Sequence, residues 1–261
     1  MSTLIRVYGN GRSGSAYTDR LRQQGYTVAV HDRSGDEVRC VDGPLTGPAV
    51  AAILALPRGT DVPVALRAID PMETPCVVDL TTQSPESATA NAELWAGMGG
   101  RSYHAGGSNG GERAVRAGDS FLLLGPRCEE PVWQALQAIG HVTEYASAEY
   151  AVMLKLCHNA FLVVENELAR QLAALCQRRG IAREHLEKTI DDGPAGRRFG
   201  DLTAIRHLKG GYPSSYIGEY AAKDWCYFQG TLSDEERAMF DFVQADGLAR
   251  RLAHRGTGPW V

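Results

Sequence analysis

The chain has 261 residues, room for two domains at roughly 100–200 residues each and for a large buried core. Its 44% apolar and 22% charged residues exclude a largely disordered chain, and a formal net charge of -4 without a long Lys/Arg run speaks against nucleic acid as a partner. Apolar runs such as Phe161-Leu162-Val163-Val164 are too short to cross a bilayer, so no membrane is expected either.

The opening residues carry one arginine and run straight into a glycine-rich turn, without the apolar stretch of a signal peptide. The six cysteines (Cys40, Cys76, Cys128, Cys157, Cys176 and Cys226) are scattered, with no Cys-x-x-Cys pair and no metal-ligand spacing. They read as reduced thiols in a cytoplasmic protein that binds no metal.

Leu4 to Tyr8 reads as a buried strand, Gly9 to Gly14 as a turn, Ser15 to Gln24 as a helix stopped by Gly25, and Tyr26 to Val30 as a second strand. Together they form a βαβ unit. Within it, Gly9-Asn10-Gly11-Arg12-Ser13-Gly14 matches G-x-G-x-x-G in the context that gives the pattern meaning, after a strand and at the head of a helix. Gly9 permits the tight turn, Gly11 lets the backbone approach a pyrophosphate, and Gly14 allows close helix–strand packing. The anion then rests on free N–H groups at a helix N-terminus.

Asp32 follows at close to the spacing of about 20 residues expected of a ribose-binding acid. A carboxylate there accepts from both ribose hydroxyls and repels a 2′-phosphate, which leans the cofactor to NAD over NADP. Arg33 and Ser34 pull toward NADP, since a guanidinium and a hydroxyl suit a phosphate.

Further strands are expected at Val50 to Leu56, Cys76 to Leu80 and Phe121 to Leu124. Strands alternating with helices predict an α/β Rossmann domain with a mainly parallel sheet over residues 1–147. The pattern then changes. Residues 148–179 contain neither Pro nor Gly, and their apolar positions recur at helical spacing, which predicts one long helix ended by Gly180. Shorter helices are expected at Glu184 to Asp191, around Tyr216 to Gln229, and at Ser233 to His254, the last opened by a Ser233…Glu236 capping box. Residues 148–261 thus form an all-α domain with an irregular tail.

Four segments, taken in order, resemble the β-hydroxyacid dehydrogenase superfamily, which includes 3-hydroxyisobutyrate and 6-phosphogluconate dehydrogenases. They are Leu56-Pro57; Asp79-Leu80-Thr81-Thr82-Gln83-Ser84-Pro85-Glu86; Gly107-Ser108-Asn109-Gly110-Gly111; and Lys155-Leu156-Cys157-His158-Asn159. The resemblance implies that Leu56 and Pro57 lie beside the cofactor and that Thr82 meets its nicotinamide side. From the residues alone, Thr82 also reads as part of a helix N-cap region. The resemblance further implies that Asn109, Gly110 and Gly111 hold a substrate carboxylate. The family has Ser-Gly-Gly there, so Asn109 replaces a serine.

The last segment follows a Lys-x-x-x-Asn pattern. Lys155, His158 and Asn159 stand at i, i+3 and i+4, one face of a helix. By resemblance, Lys155 is the general acid/base, Asn159 orients it, and His158 binds substrate or relays a proton. A Lys223-Asp224 pair resembles the family's lysine that closes over the cofactor. The 6-phosphogluconate branch has a glutamate where Leu162 stands, so neither its substrate nor its decarboxylation is carried over.

The expected activity is hydride transfer between NAD(P) and a small anionic hydroxy acid or its oxo partner. An imine reductase of the same architecture, whose members usually lack the lysine, and a dinucleotide-binding redox sensor are the alternatives. A long apolar helix with little remaining chain to cover it predicts a homodimer.

Overall fold

The computed structural model describes residues 3–34, 37–41, 46–192 and 223–238. The chain divides into two compact units, Met1–Lys155 and Leu156–Val261.

The first unit is built on β1 (Leu4–Tyr8), α1 (Arg12–Gln23), β2 (Thr27–Ser34), β3 (Glu37–Cys40), β4 (Ala51–Leu54), α2 (Val62–Arg67), β5 (Cys76–Asp79), α3 (Pro85–Gly97), β6 (Ser102–Asn109), α4 (Gly111–Ala117), β7 (Ser120–Gly125), α5 (Glu130–Ile139) and β8 (Gly140–Glu144). The strands form one sheet in the order β3-β2-β1-β4-β5-β6-β7-β8. Its centre, β2-β1-β4-β5-β6, is parallel. The strands β4 and β5 are buried at every residue, the continuous apolar pattern of a sheet covered on both faces.

Two apolar layers do the covering. On one face, Ile5, Val7, Val30, Ile53 and Val78 share a core with Tyr17 and Leu21 of α1 and Leu136 and Ile139 of α5. On the other, Tyr8, Leu54 and Val77 share one with Val62 and Leu66 of α2 and Trp95 of α3. This is the expected mainly parallel α/β fold.

Several strands escape the sequence pattern. The edge strand β3 is short, half-exposed and antiparallel to β2. The strand β8 is mostly exposed, and β7 runs antiparallel to β6. The largest difference is β6, where no strand was expected: the Gly107–Asn109 segment is the end of an eight-residue strand. Gly106 carries the reason. A Cβ there would strike the Leu123 carbonyl on β7, so the close approach of the two strands requires glycine.

A long helix, α6 (Ala148–Arg178), follows the sheet, and the boundary between the two units falls inside it. It matches the expected helix within one residue. In the second unit, Gly180 has φ +71° just past the end of α6. The helices α7 (Arg183–Asp192), α8 (residues 223–230) and α9 (Asp234–Ala238) follow. The capping box is present: Ser233 N donates to Glu236 Oε2 at 2.8 Å, and Glu236 N to Ser233 Oγ at 3.3 Å. The expected helical residues 216–222, the stretch 239–254 and the tail 255–261 lie outside the described residues.

Candidate active site

The turn at Gly9–Gly14 joins β1 to α1 where the strand order reverses, with β2 on one side of β1 and β4 on the other. Ligands of such sheets bind in the crevice at the carboxyl ends of these strands. Gly9 has φ +99°, and a Cβ on it would strike the Ala55 carbonyl; a Cβ on Gly14 would strike the Gly9 carbonyl. Gly11 is the N-cap of α1, with no side-chain cap and no acid in the first turn. Its leading N–H groups, uncapped by a side chain, suit an anion. Asn10, Gly11, Arg12 and Ser13 are exposed. Arg12 reaches Glu112 at the head of α4, at 3.1 Å.

Beside the turn is a cavity of about 160 Å³ lined by Tyr8, Gly9, Asp32, Arg33, Leu56 and Pro57, with His31, Arg58 and Asp61 among its further walls. It gathers five of the expected cofactor residues. Tyr8 and His31 stack at 4.5 Å between ring centroids. Burial and the nearby Arg6 charge push His31 below the ordinary histidine pKa, which keeps the ring neutral. Asp32 accepts from the Arg33 amide at 2.8 Å. Arg33 and Arg58 both pair with Asp61, at 3.6 and 3.1 Å. Nothing along the chain singles out Arg58 or Asp61, because Asp61 meets Arg33 only in the folded chain.

Between β5 and α3, Thr81 is buried and accepts from the Leu56 amide at 3.1 Å, tying the Thr81–Thr82 segment to the pocket wall. Thr82 is half-buried, and Ser84, not Thr82, caps α3 by accepting from Ser87 N. The loop stands on a buried network. Asp79 accepts from Thr81 N at 2.9 Å, Gln83 Nε2 at 2.7 Å and Tyr103 Oη at 2.6 Å. Asn91 then donates to Gln83 Oε1 at 2.9 Å. Burial drives the Asp79 pKa up, against the pull of these bonds. Tyr103 keeps its phenolic proton, raised by burial and by Asp79.

The end of β6 meets Lys155 of α6. Lys155 is buried, 8% exposed. Its Nζ donates to Ser108 O at 2.7 Å and to Asn109 Oδ1 at 2.6 Å. Its aliphatic stem lies over Gly107, where a Cβ would come within 2.5 Å of Lys155 Cγ. Ser120 Oγ pins this backbone, donating to Asn109 O at 2.9 Å and pairing with Ser108 Oγ at 2.9 Å. Gly110 and Gly111 follow with φ of +103° and +68°. Four of the expected residues, Asn109, Gly110, Gly111 and Lys155, therefore belong to one cluster.

In the second unit His158 is exposed. Asn159 Nδ2 donates to Asp224 Oδ2 at 2.7 Å. Lys223 Nζ lies 3.4 Å from Asp224 Oδ1 and 6.0 Å from the Tyr227 ring centroid. Beside the residues expected around Lys155, Asn109 supplies a contact to its Nζ that the sequence pattern did not single out. No cluster of His, Cys, Asp and Glu able to hold a metal occurs among the described residues, whose six cysteines are free. No helix among them is long and apolar enough to cross a membrane.

No protein-family model and no curated protein matches the sequence. Solved structures do match the fold. A 3-hydroxyisobutyrate dehydrogenase of Mycobacterium tuberculosis, solved with L-serine, shares 17% identity over 94% of this chain and 95% of its own, with a TM-score of 0.68. Psf3, solved with NADP+ and 2-OPP, shares 19% over 95% and 94%, with a TM-score of 0.72. A reductive aminase of Aspergillus terreus, solved with NADPH and ethyl levulinate, shares 20% over 99% and 96%, with a TM-score of 0.60. The chain has the fold of these proteins: a Rossmann sheet domain followed by helices.

Proposed function

We propose that this chain is an NAD(P)-dependent oxidoreductase acting on a small hydroxy acid or its oxo partner, with Lys155 as the proton-transfer group. The observation that carries it is the buried Lys155 ammonium held at Asn109. A buried charge needs partners or a task, and this one lies at the segment expected to receive substrate.

The residues around Gly9 fit a dinucleotide. Gly9 and Gly14 keep the turn tight where a Cβ would strike backbone, Gly11 leaves open space, and the α1 N-terminus offers N–H groups beside Arg12. A nicotinamide bound there supplies the hydride chemistry. The chain supplies the rest. In reduction Lys155 Nζ gives a proton to the substrate oxygen, breaking N–H and forming O–H; in oxidation it takes that proton back. Asn109, Gly110 and Gly111 hold the substrate anion, and Thr82 faces the nicotinamide side. Asn159 orienting Lys155, His158 binding substrate or relaying a proton, and Lys223 closing over the cofactor stay in the proposal, as does the division into domains at residue 147. A homodimer also stays in it, supported by Phe161, 52% exposed on α6; light scattering at micromolar concentration tests it.

The lean to NAD drawn from Asp32 finds no support. Psf3 and the reductive aminase were solved with NADP+ and NADPH, and two arginines, Arg33 and Arg58, stand with Asp32 at the pocket. We take NADP(H) as the coenzyme. The second reading, imine reduction, is favoured by the fold match to the reductive aminase. A panel of hydroxy acids and oxo acids, with and without amine donors, run with NADPH and NADH, separates these readings. Alcohol formation from an oxo acid supports the first; amine formation supports the second; cofactor binding without any turnover rejects both.

A further inference from the structure

We infer that Asn109 is a positioning residue for Lys155 and, through the same contact, selects ligands that present a carboxylate or carbonyl oxygen against ligands that present an ammonium or iminium. The second half rests on the oxidoreductase reading above; the first does not.

The argument starts from what the two groups can offer. An ammonium has donors only, so the amide that meets it at 2.6 Å must turn its oxygen inward. That fixes the other end of the amide. Asn109 Nδ2 carries two donors and no acceptor, and no described residue accepts from it. The geometry is held from behind. The Lys155 stem lies on Gly107, and the backbone oxygens of Ser108 and Asn109 are occupied by Lys155 and Ser120 respectively. The backbone on which the pair meets is thereby held in place.

A serine at this position, as in the family that the sequence resembles, has a hydroxyl that can accept or donate and so serves either kind of ligand. An amide with its oxygen committed to Lys155 can only donate. The ligand atom facing it must therefore be an acceptor. An ammonium or iminium nitrogen would bring donors against donors, leaving buried N–H groups unpaired, an expected penalty of about 10- to 100-fold in affinity. Asn109 thus discriminates between two chemistries for which the same fold is known.

The test uses the full-length protein with Asn109→Leu, Asn109→Asp and Asn109→Ser. The first measurement needs no substrate: the pH dependence of Lys155 labelling by trinitrobenzenesulfonate, resolved by peptide mass. The amide oxygen favours the charged lysine. Asn109→Leu should lower the pH at which Lys155 becomes reactive, Asn109→Asp should raise it, and Asn109→Ser should fall between Leu and the native chain. Identical profiles in all four proteins would overturn the positioning role, since a merely structural residue would not move them. The second is calorimetric titration of the NADPH-loaded protein with malonate and with propylammonium. Malonate should bind the native chain about 10-fold or more tighter, and Asn109→Asp should reverse that order. Equal binding of both probes to the native chain would overturn the selection. A protein that shows the labelling shift yet turns over no oxo or hydroxy acid keeps the tether and loses the oxidoreductase reading.

Discussion

The Gly9–Gly14 turn and the Gly107–Lys155 cluster both depend on glycine, for opposite reasons. At the turn, glycine brings backbone to backbone: the atoms a Cβ would strike are the Ala55 and Gly9 carbonyls. At the cluster, glycine makes room for a side chain: the atoms in the way are the Cβ, Cγ and Cδ of Lys155. A backbone carbonyl in a strand or turn cannot yield without moving an element, whereas a lysine stem can change rotamer. The first region should break all at once; the second should deform while keeping its fold.

The largest effect is expected at the chemistry itself. Lys155→Ala should lower kcat by ~10²–10⁴ while leaving dinucleotide affinity nearly unchanged, because the proposed cofactor contacts lie at the turn. Lys155→Arg should also fail, since a guanidinium keeps its proton at any working pH. Steady-state rates on the best substrate of the panel, with cofactor binding followed by fluorescence, check this. Full activity in either variant would sink the assignment.

Gly14→Ala is the mirror experiment at the turn. Overpacking against backbone costs about 1–3 kcal/mol, which translates to about 10- to 100-fold in cofactor affinity. Lys155 labelling should be untouched. Native affinity in this variant would mean that the turn does not hold the dinucleotide.

Gly107→Ala should sit between the two. Its Cβ meets the flexible Lys155 side chain, so the chain should fold and bind cofactor, with kcat reduced by displacement of Nζ; misplacement by an ångström can cost about 100-fold. Loss of cofactor binding along with kcat would show that the two regions are not separable.

The contrast also explains what could be read in the sequence. The turn was legible because its residues are contiguous and their spacing is set by the backbone. Leu4–Tyr8 and the buried strand at Cys76–Asp79 were legible as apolar runs, and the long helix as an uninterrupted period without Pro or Gly. The strand β6 was not, since Gly106 and Gly107 erase the side-chain alternation by which a strand is recognised. Lys155, Asn109 and Gly107 were each singled out or passed by name, but nothing along the chain states that Asn109 reaches Lys155. That bond crosses from a strand end to a helix. The Asp79–Tyr103–Gln83–Asn91 network was invisible for the same reason: four polar residues become a unit only when β5, β6 and α3 pack.

The smallest effect expected is a pH dependence that distinguishes the scaffolds of the two regions. Each carries a histidine whose pKa burial lowers: His31 at the turn, where Arg6 adds to the shift, and His104 on β6. His104 is the more buried. Its Nδ1 lies 2.9 Å from Pro126 O, which can only accept, so Nδ1 carries the proton and the ring is neutral with Nε2 deprotonated. That Nε2 is buried without a partner among the described residues. Protonating it would charge a buried atom with no hydrogen-bond partner among the described residues, a cost the Glu129 charge offsets only in part. The folded pKa is depressed below the unfolded value of about 6.5, so below that pH the unfolded chain binds more protons than the folded one. The stability contributed by neutral His104 is therefore present at pH 7 and above, and is lost as pH falls through about 6.5 toward the folded pKa. Thermal unfolding followed between pH 5 and pH 8 should show the midpoint falling on the acid side, and His104→Gln should flatten that fall while His31→Gln flattens it less. An acid limb of equal slope in the native chain and in His104→Gln would remove β6 from the account and leave the turn as the pH-sensitive region.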